Sequence, residues 1–468
     1  MEYIAPEVFG NRDETGLLRF LEDCAARAVV SGEGILGSIS LQVGELDPLA
    51  VLQSIFEPDE DHLYLENPAG EFALAGAETV VGLELRGEDR FRLARQWMGR
   101  MKDRLVQTGD RVNGLDGPAF LWAMPFSGAS RTTGKLFVPR WQVIRRGGYC
   151  VATANLWITS ASFLKEMSER VWRAHSRFSK FSYRTPPAES APVSLEGCRV
   201  VEVGGPRGFR DRVAVALRAI DAGQFNKVVL GRSLDFEGPE DFRPLDAVHR
   251  LRETFPACYA FSHSTTRGES WVGASPERLV AVTGDHFETE AIAGSTPRGT
   301  NSQDDAQLGS NLLTSAKDLG EHRFVVEAIL KRLTSLGLAE VTTEPLRLIR
   351  LANVQHLKTP ISGTKPPGGL IVLAEALHPT PAVGGTPREE ALRFISNEEP
   401  FDRGHYTGFF GYLRADGEGL LVVTLRCGKI SGNRATLFAG AGIVADSTPE
   451  AEEREIEMKF EAMRKGLG

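Results

Sequence analysis

The sequence predicts an α+β protein built on antiparallel sheets with flanking helices. Three observations lead there. Strand-like runs near the end of the chain, GFFGYLRA, GLLVVTLRCGKI and RATLFAGAGIV, follow one another through the tight turns ADGEG and SGN, which suit an antiparallel meander. The segment ERLVAVTGDHFETEAIAG reads as a hairpin with Thr-Gly-Asp at its turn. Long helical patterns accompany these hairpins, without the repeated strand–helix–strand order of a parallel doubly wound sheet.

The elements follow in order. TGLLRFLEDCAARAVV has helical spacing and SISLQV reads as a strand. AETVVGLEL is strand-like, Glu88 to Val106 is a helical run, and KLFVPRWQVI and YCVATANLWI read as strands. In SASFLKEMSERVWRAHSRF, Leu164, Met167 and Val171 fall at i, i+3 and i+7 and share one helix side. YRTPPAESAP breaks the pattern, so residues 183–192 read as a linker or crossover. VAVALRAIDAGQ and PLDAVHRLRETFP are helical, while NKVVLGRSLDF and CYAFSHS are strand-like. Residues 303–336 read as one long helix. In the closing helix Thr448 can cap, Pro449 sits at N1 and acidic residues fill the first turns. The chain thus divides into an N-terminal α/β region, 1–190, and a second region, 191–468.

Composition narrows the class. A chain of 468 residues has room for up to three domains at about 150 residues each. The net charge of −8 argues against a phosphate-backbone partner, which calls for a basic face. It leaves room for a small acidic substrate, because one pocket can be positive on an acidic protein. No apolar run reaches the roughly 18 residues a membrane span needs, and MEYIAPEVFGNRDETG lacks a secretory pattern. Five scattered cysteines without a C-x-x-C pair favour a reducing cytoplasm over a disulfide scaffold or zinc site.

Gly32-Glu33-Gly34-Ile35-Leu36-Gly37 fits G-x-G-x-x-G, but a helix precedes it and a strand follows, the reverse of a dinucleotide site. It reads as a helix-to-strand turn. Other groups are open to two readings. Glu452, Glu455 and Lys459 share a helix face, and Asp318 and Glu321 share another. They form either solvated acidic faces or an oxygen-rich setting for Mg²⁺. Lys227, inside the apolar run FNKVVLG, is either an outward strand residue or a buried amine whose pKa would fall towards that of a base. Glu277 follows Ser275-Pro276 at the start of a strand and by itself is an ordinary acid. Ala439-Gly440-Ala441-Gly442 is either a plain turn or a place where backbone N–H groups approach an anion.

Nine segments in order, KVVLGR, SPERL, EAIAGS, KDLGEH, VQHL, ALHPTPAVGG, DRGHYTGFFGYL, VVTLRCG and AGAGIVADSTPEAEEREIEMK, resemble the chorismate-utilising enzymes. These are the isochorismate, salicylate, anthranilate and aminodeoxychorismate synthases. The motifs span about half of the chain, residues 225 to 460. The resemblance implies a fold of antiparallel sheets packed as a sandwich with flanking helices, with the N-terminal region part of the same compact body. It implies that Lys227 is the base that activates water and Glu277 the acid that protonates the departing hydroxyl. It implies Glu321 and Glu455 as Mg²⁺ carboxylates, with Glu452 and Asp318 holding metal waters. Tyr406, Arg426 and the Gly440–Gly442 backbone match groups that hold the enolpyruvyl carboxylate. His356 and Ser295 fall among the substrate-binding positions, and Lys459 lies on the metal face.

Two positions separate the members. Ala293 stands where aminodeoxychorismate synthases carry a nucleophilic lysine, which disfavours that activity. Ala382 stands where anthranilate and salicylate enzymes tend to carry threonine, and alanine is typical of enzymes that stop at isomerisation. The expected activity is therefore that of an isochorismate synthase, the menaquinone-pathway type by its long N-terminal region and its TEAIAG segment. Siderophore and salicylate routes are further destinations for the product. The alternatives are a salicylate synthase and a chorismate-binding protein without turnover. No glutaminase subunit is expected, and the chain is expected to be a monomer or homodimer.

Overall fold

The protein is described here by a computed structural model covering residues 2–3, 14–67, 71–112, 114–178, 195, 197–205, 208–338 and 340–467. Side-chain alternation along the strands decides its layers. In strand Arg434–Ile443, Leu437, Ala439, Ala441 and Ile443 pack on one face against Phe209 and Val213, Val248 and Leu251, and Ile456 and Phe460. Those partners come from helices Gly208–Asp221, Pro244–Thr254 and Pro449–Leu467. Phe438, on the opposite face, joins a cluster with Phe261, Trp271, Phe410 and Tyr412. Strand Phe409–Arg414 alternates likewise: Phe410 and Tyr412 point to that cluster. Phe409 and Leu413 point to Trp97, Val325, Ile329 and Leu373 of helices Arg90–Asp103, Ala316–Ser335 and Gly369–Leu377. The order is helices, sheet, sheet, helices, as the α+β sandwich expectation required. Full burial of each such Leu or Phe contributes about 1.5–3 kcal/mol.

The first sheet runs Arg199–Glu202, Lys227–Glu237, Arg434–Ile443, Cys427–Ser431, Glu269–Ser275, Tyr259–Thr266, His62–Glu66, Phe72–Leu85, Gly134–Arg146, all antiparallel. At Gly134–Arg146 it divides. One end continues through Ala119–Met124, Phe409–Arg414, Gly419–Val423, Arg278–Thr283 and His286–Pro297 to Val354–Thr364, which forms the second sheet. The other end continues through Tyr149–Ile158 and Ile35–Val43 to Leu105–Gly109, and this last pairing is parallel. Helix Glu14–Ser31 covers it together with Leu164, Met167 and Val171, the shared helix side read from the sequence. The N-terminal strands His62–Glu66 and Ala119–Met124 are thus hydrogen-bonded to strands of the C-terminal half. The segment 183–192 lies outside the described residues.

Three sequence expectations are corrected. The closing strands form no continuous meander: Gly419–Val423 belongs to the second sheet, Cys427–Ser431 to the first, and the chain changes sheet across Thr424–Arg426. Arg426 takes φ 45° to do so, a left-handed conformation that a residue other than glycine adopts only when its surroundings impose it. The pattern 303–336 is two helices, Ser302–Thr314 and Ala316–Ser335, parted at Ser315. Ser315 is extended, and its hydroxyl caps the second helix by accepting from the Asp318 N–H at 3.2 Å. The helical run from Glu88 stops at Asp103, because Leu105 and Val106 are recruited by the strand Ile35–Val43.

Candidate active site

Both changes of sheet deliver a polar side chain to the same place. Strand Glu269–Ser275 lies in the first sheet and Arg278–Thr283 in the second, with only Pro276 and Glu277 between them. The Ser275 hydroxyl donates to Val423 O at 2.6 Å, and the Val423 N–H donates to Glu277 O at 3.0 Å. The crossing that presents Glu277 is therefore bonded to the strand leading to Arg426. Around them opens a cleft with about 770 Å³ of atom-free space, its mouth included.

Of the residues given a role in the sequence, Lys227, Glu277, Ser295, Glu321, His356, Ala382, Tyr406, Arg426, Gly440, Gly442, Glu455 and Lys459 line this cleft, and so do Ala293 and Ala439. Asp318 and Glu452 lie behind the lining. Asp318 accepts a hydrogen bond from the Ser315 hydroxyl, and Glu452 pairs with Lys317 at 3.0 Å. Sequence reasoning passed over Val229, Ile292, Val383, Thr407 and Leu425, which also line the cleft. Val229 was within reach, because it lies two residues from Lys227 and so on the same strand face. It also passed over Glu290, which acts on Glu277 from outside the lining.

Lys227 is 1% exposed, so it is the buried amine and not the outward strand residue. It lies between strands Arg434–Ile443 and Gly385–Thr386, and its Nζ meets Glu321 Oε1 at 2.9 Å. Glu277 is 4% exposed, and its pKa is pushed up from 4.5 to about 8. Burial is the main cause and the negative charge of Glu290 the second, with Lys227 working the other way. Glu277 therefore keeps its proton at neutral pH. Glu290 itself pairs with Lys358 at 2.6 Å and with Arg278 at 3.7 Å.

On the anion-binding side, Arg426 is buried, and its Nη2 donates to His356 Nε2 at 2.8 Å. Arginine only donates, so Nε2 of His356 is an acceptor and the ring proton sits on Nδ1, facing Ser295 Oγ at 2.9 Å and Gly294 O at 3.3 Å. Burial and the charges of Arg426 and Lys459 hold the His356 pKa well below its usual value, so the ring stays neutral. Arg426 Nη1 donates to Asn353 at 3.3 Å. Lys459 Nζ bridges Gly440 O and Glu455 Oε1, both at 2.7 Å. At Gly440 and Gly442 a side chain has no room: a Cβ would meet the Tyr406 hydroxyl at 2.6 Å in the first case and the Glu321 carboxylate in the second.

Glu321, Glu455, Glu452 and Asp318 come from two helices and interact. Burial raises the Asp318 pKa, and Glu321 and Glu455 add to it. Burial and Glu455 likewise raise that of Glu452. Among the described residues no three acidic, His or Cys side chains form a complete metal cage. An all-oxygen set offering one or two carboxylates is nevertheless the kind of donor set that suits Mg²⁺.

The sandwich, with a cleft pairing a buried amine and a protonated carboxyl beside an arginine and lysine, defines a class of enzyme acting on small anions. The chain belongs to the chorismate binding enzyme family, whose model matches residues 20–468. It is 35% identical over 445 residues to the salicylate biosynthesis isochorismate synthase of Pseudomonas aeruginosa, covering 92% of this chain and 90% of that one. It is 29% identical to the isochorismate synthase MenF of Bacillus subtilis, covering 93% and 94%. The solved structure of the menaquinone-specific isochorismate synthase MenF from Escherichia coli superposes with TM-score 0.77 at 25% identity, covering 97% of this chain and all of that one.

Proposed function

We infer that this chain is an isochorismate synthase, an isomerase that moves the hydroxyl of chorismate from C4 to C2. The observation that carries the mechanism is the pairing of Lys227 with a Glu277 that is protonated up to about pH 8. Water adds at C2 while the C4 oxygen leaves. Water needs a base, and hydroxide departs only if it is protonated as it goes. Lys227 Nζ takes the proton from the attacking water. Glu277 gives its proton to the C4 oxygen, which leaves as water. The two groups exchange protonation states across one turnover and reverse for the back reaction. Arg426, oriented by His356, holds a substrate carboxylate, together with Tyr406 and the close backbone at Gly440 and Gly442.

Glu321 and Glu455 would hold Mg²⁺ directly, with Glu452 and Asp318 behind them through water. Bound there, the ion supplies positive charge to the ring carboxylate. The small side chains of Ala293 and Ala382 support a reaction that ends at isomerisation. Among the described residues no helix is long and apolar enough to cross a membrane. The five cysteines, scattered and without a C-x-x-C pair, suit a reducing cytoplasm.

The test is incubation of the purified protein with chorismate, with Mg²⁺ and then with excess EDTA, and chromatography of the products. A Mg²⁺-dependent mixture of chorismate and isochorismate is expected. Salicylate with pyruvate at enzyme-dependent rates would replace this reading by a synthase that goes on to elimination. Unchanged chorismate in both conditions would leave a binding protein.

A further inference from the structure

An ion pair outside the reacting set ties the cleft walls together. Glu399 and Arg403, four residues apart in the segment that follows helix Arg388–Glu398, have side chains only 2% and 3% exposed. Arg403 has five N–H groups, and each has an acceptor. Nε donates to Glu399 Oε2 at 2.7 Å. Nη2 donates to Glu399 Oε1 and, at 2.7 Å, to Val229 O. Nη1 donates to Val383 O at 2.9 Å and Thr407 Oγ1 at 3.2 Å. Glu399 Oε1 also accepts from the Gly231 N–H at 2.6 Å. Val229, Val383 and Thr407 all line the cleft, and each belongs to a different wall segment.

The location explains the need. Lys227 and Val228 pair with Thr386 and Gly385, and the Val229 N–H donates to Gly384 O at 2.8 Å. There the ladder ends, because the preceding loop peels away to present Ala382 and Val383 to the cleft. Arg403 supplies donors to the Val229 and Val383 carbonyls where the two segments diverge. The Phe126 ring at 4.4 Å and the Tyr406 ring at 5.7 Å flank its guanidinium. Apolar residues of like volume often stabilise a core at least as well as a buried ion pair, so such a pair is better explained by registry than by stability.

We propose that Arg403, fixed by Glu399, is a positioning residue for the isomerisation: it sets the gap between the Lys227 strand and the Ala382–Val383 loop. The proposal rests on the isochorismate synthase reading. With its donors all engaged inside the protein, Arg403 has none left for substrate. Lysine cannot replace it, having no planar fork and only three N–H groups.

The experiment measures kcat and KM for chorismate in the wild type, Arg403→Lys and Glu399→Gln, with a thermal melt and a near-ultraviolet dichroism spectrum for each. In Arg403→Lys, kcat falls about 10²-fold while KM stays within about threefold and the melt stays cooperative. In Glu399→Gln, which keeps the shape and removes the charge, kcat falls about tenfold. Normal kcat in a folded Arg403→Lys overturns the proposal. A raised KM at unchanged kcat does too, since Arg403 would then be a binding group, and so does a loss of kcat that only follows the folded fraction. If Arg403→Lys does not fold, Glu399→Gln decides: a folded variant with full kcat overturns the proposal. A wild type that forms no isochorismate is a different failure, because it removes the functional reading and this proposal with it.

Discussion

Glu277 is a carboxyl kept neutral by its surroundings, and two predictions follow from its proton. The folded chain holds that proton up to about pH 8, whereas a carboxyl at its usual value of 4.5 has lost it well below neutrality. Folding therefore takes up a proton between those two values, and stability falls as pH rises through that window. Glu277→Gln has nothing to titrate. At pH 8 it should melt higher than the wild type, by the equivalent of about 1–3 kcal/mol, while losing turnover by at least about 10²-fold. An unchanged or lower melting temperature would mean that the carboxyl is not strained by its site. With the wild type, the forward rate should decline as pH rises through about 8, because the acid is then consumed. Lys227→Ala should likewise lose at least about 10²-fold in kcat while retaining a cooperative melt. Near-normal turnover there would remove the base from the mechanism.

At the scale of the element, the loop after helix Gly369–Leu377 decides what the cleft allows. Ala382→Thr places a hydroxyl at the cleft wall and should raise pyruvate release from chorismate, read by a coupled pyruvate assay. An unchanged product ratio would show that this position does not set the outcome. The elements differ in how far they were legible. The strand around Lys227 was clear from its apolar run, but its depth was not. Burial comes from Arg434–Ile443 and Gly385–Thr386 on its two sides, partners roughly 160 to 215 residues away that leave no local mark. The break at Ser315 had a local sign, a serine three residues before an aspartate, hidden by helical periodicity on both sides. The parting of the last two hairpins had none. Turn spacing says which strands follow each other, not which sheet each one joins, and the positive φ of Arg426 is imposed by tertiary contacts. The site residues themselves emerged by resemblance to a family, since charge and spacing alone favoured solvated acidic faces and an outward Lys227.

For the whole molecule, two sheets face each other and the chain steps between them at Pro276–Glu277 and again at Thr424–Arg426. These two crossings decide where the gene tolerates change. Most surface turns of such a protein accept extra residues at little cost, because loop entropy grows slowly with length. The turn at Gly284–Asp285 is of that kind, and a short Gly-Ser insertion there should leave turnover near normal. The same insertion after Pro276 or after Leu425 should abolish turnover even where the protein still folds, because each linking segment is itself a wall of the cleft. A transposon-based insertion scan, scored for isochorismate formation, would then show two silent gaps about 150 residues apart in sequence. Those gaps would map the active site with no ligand in hand.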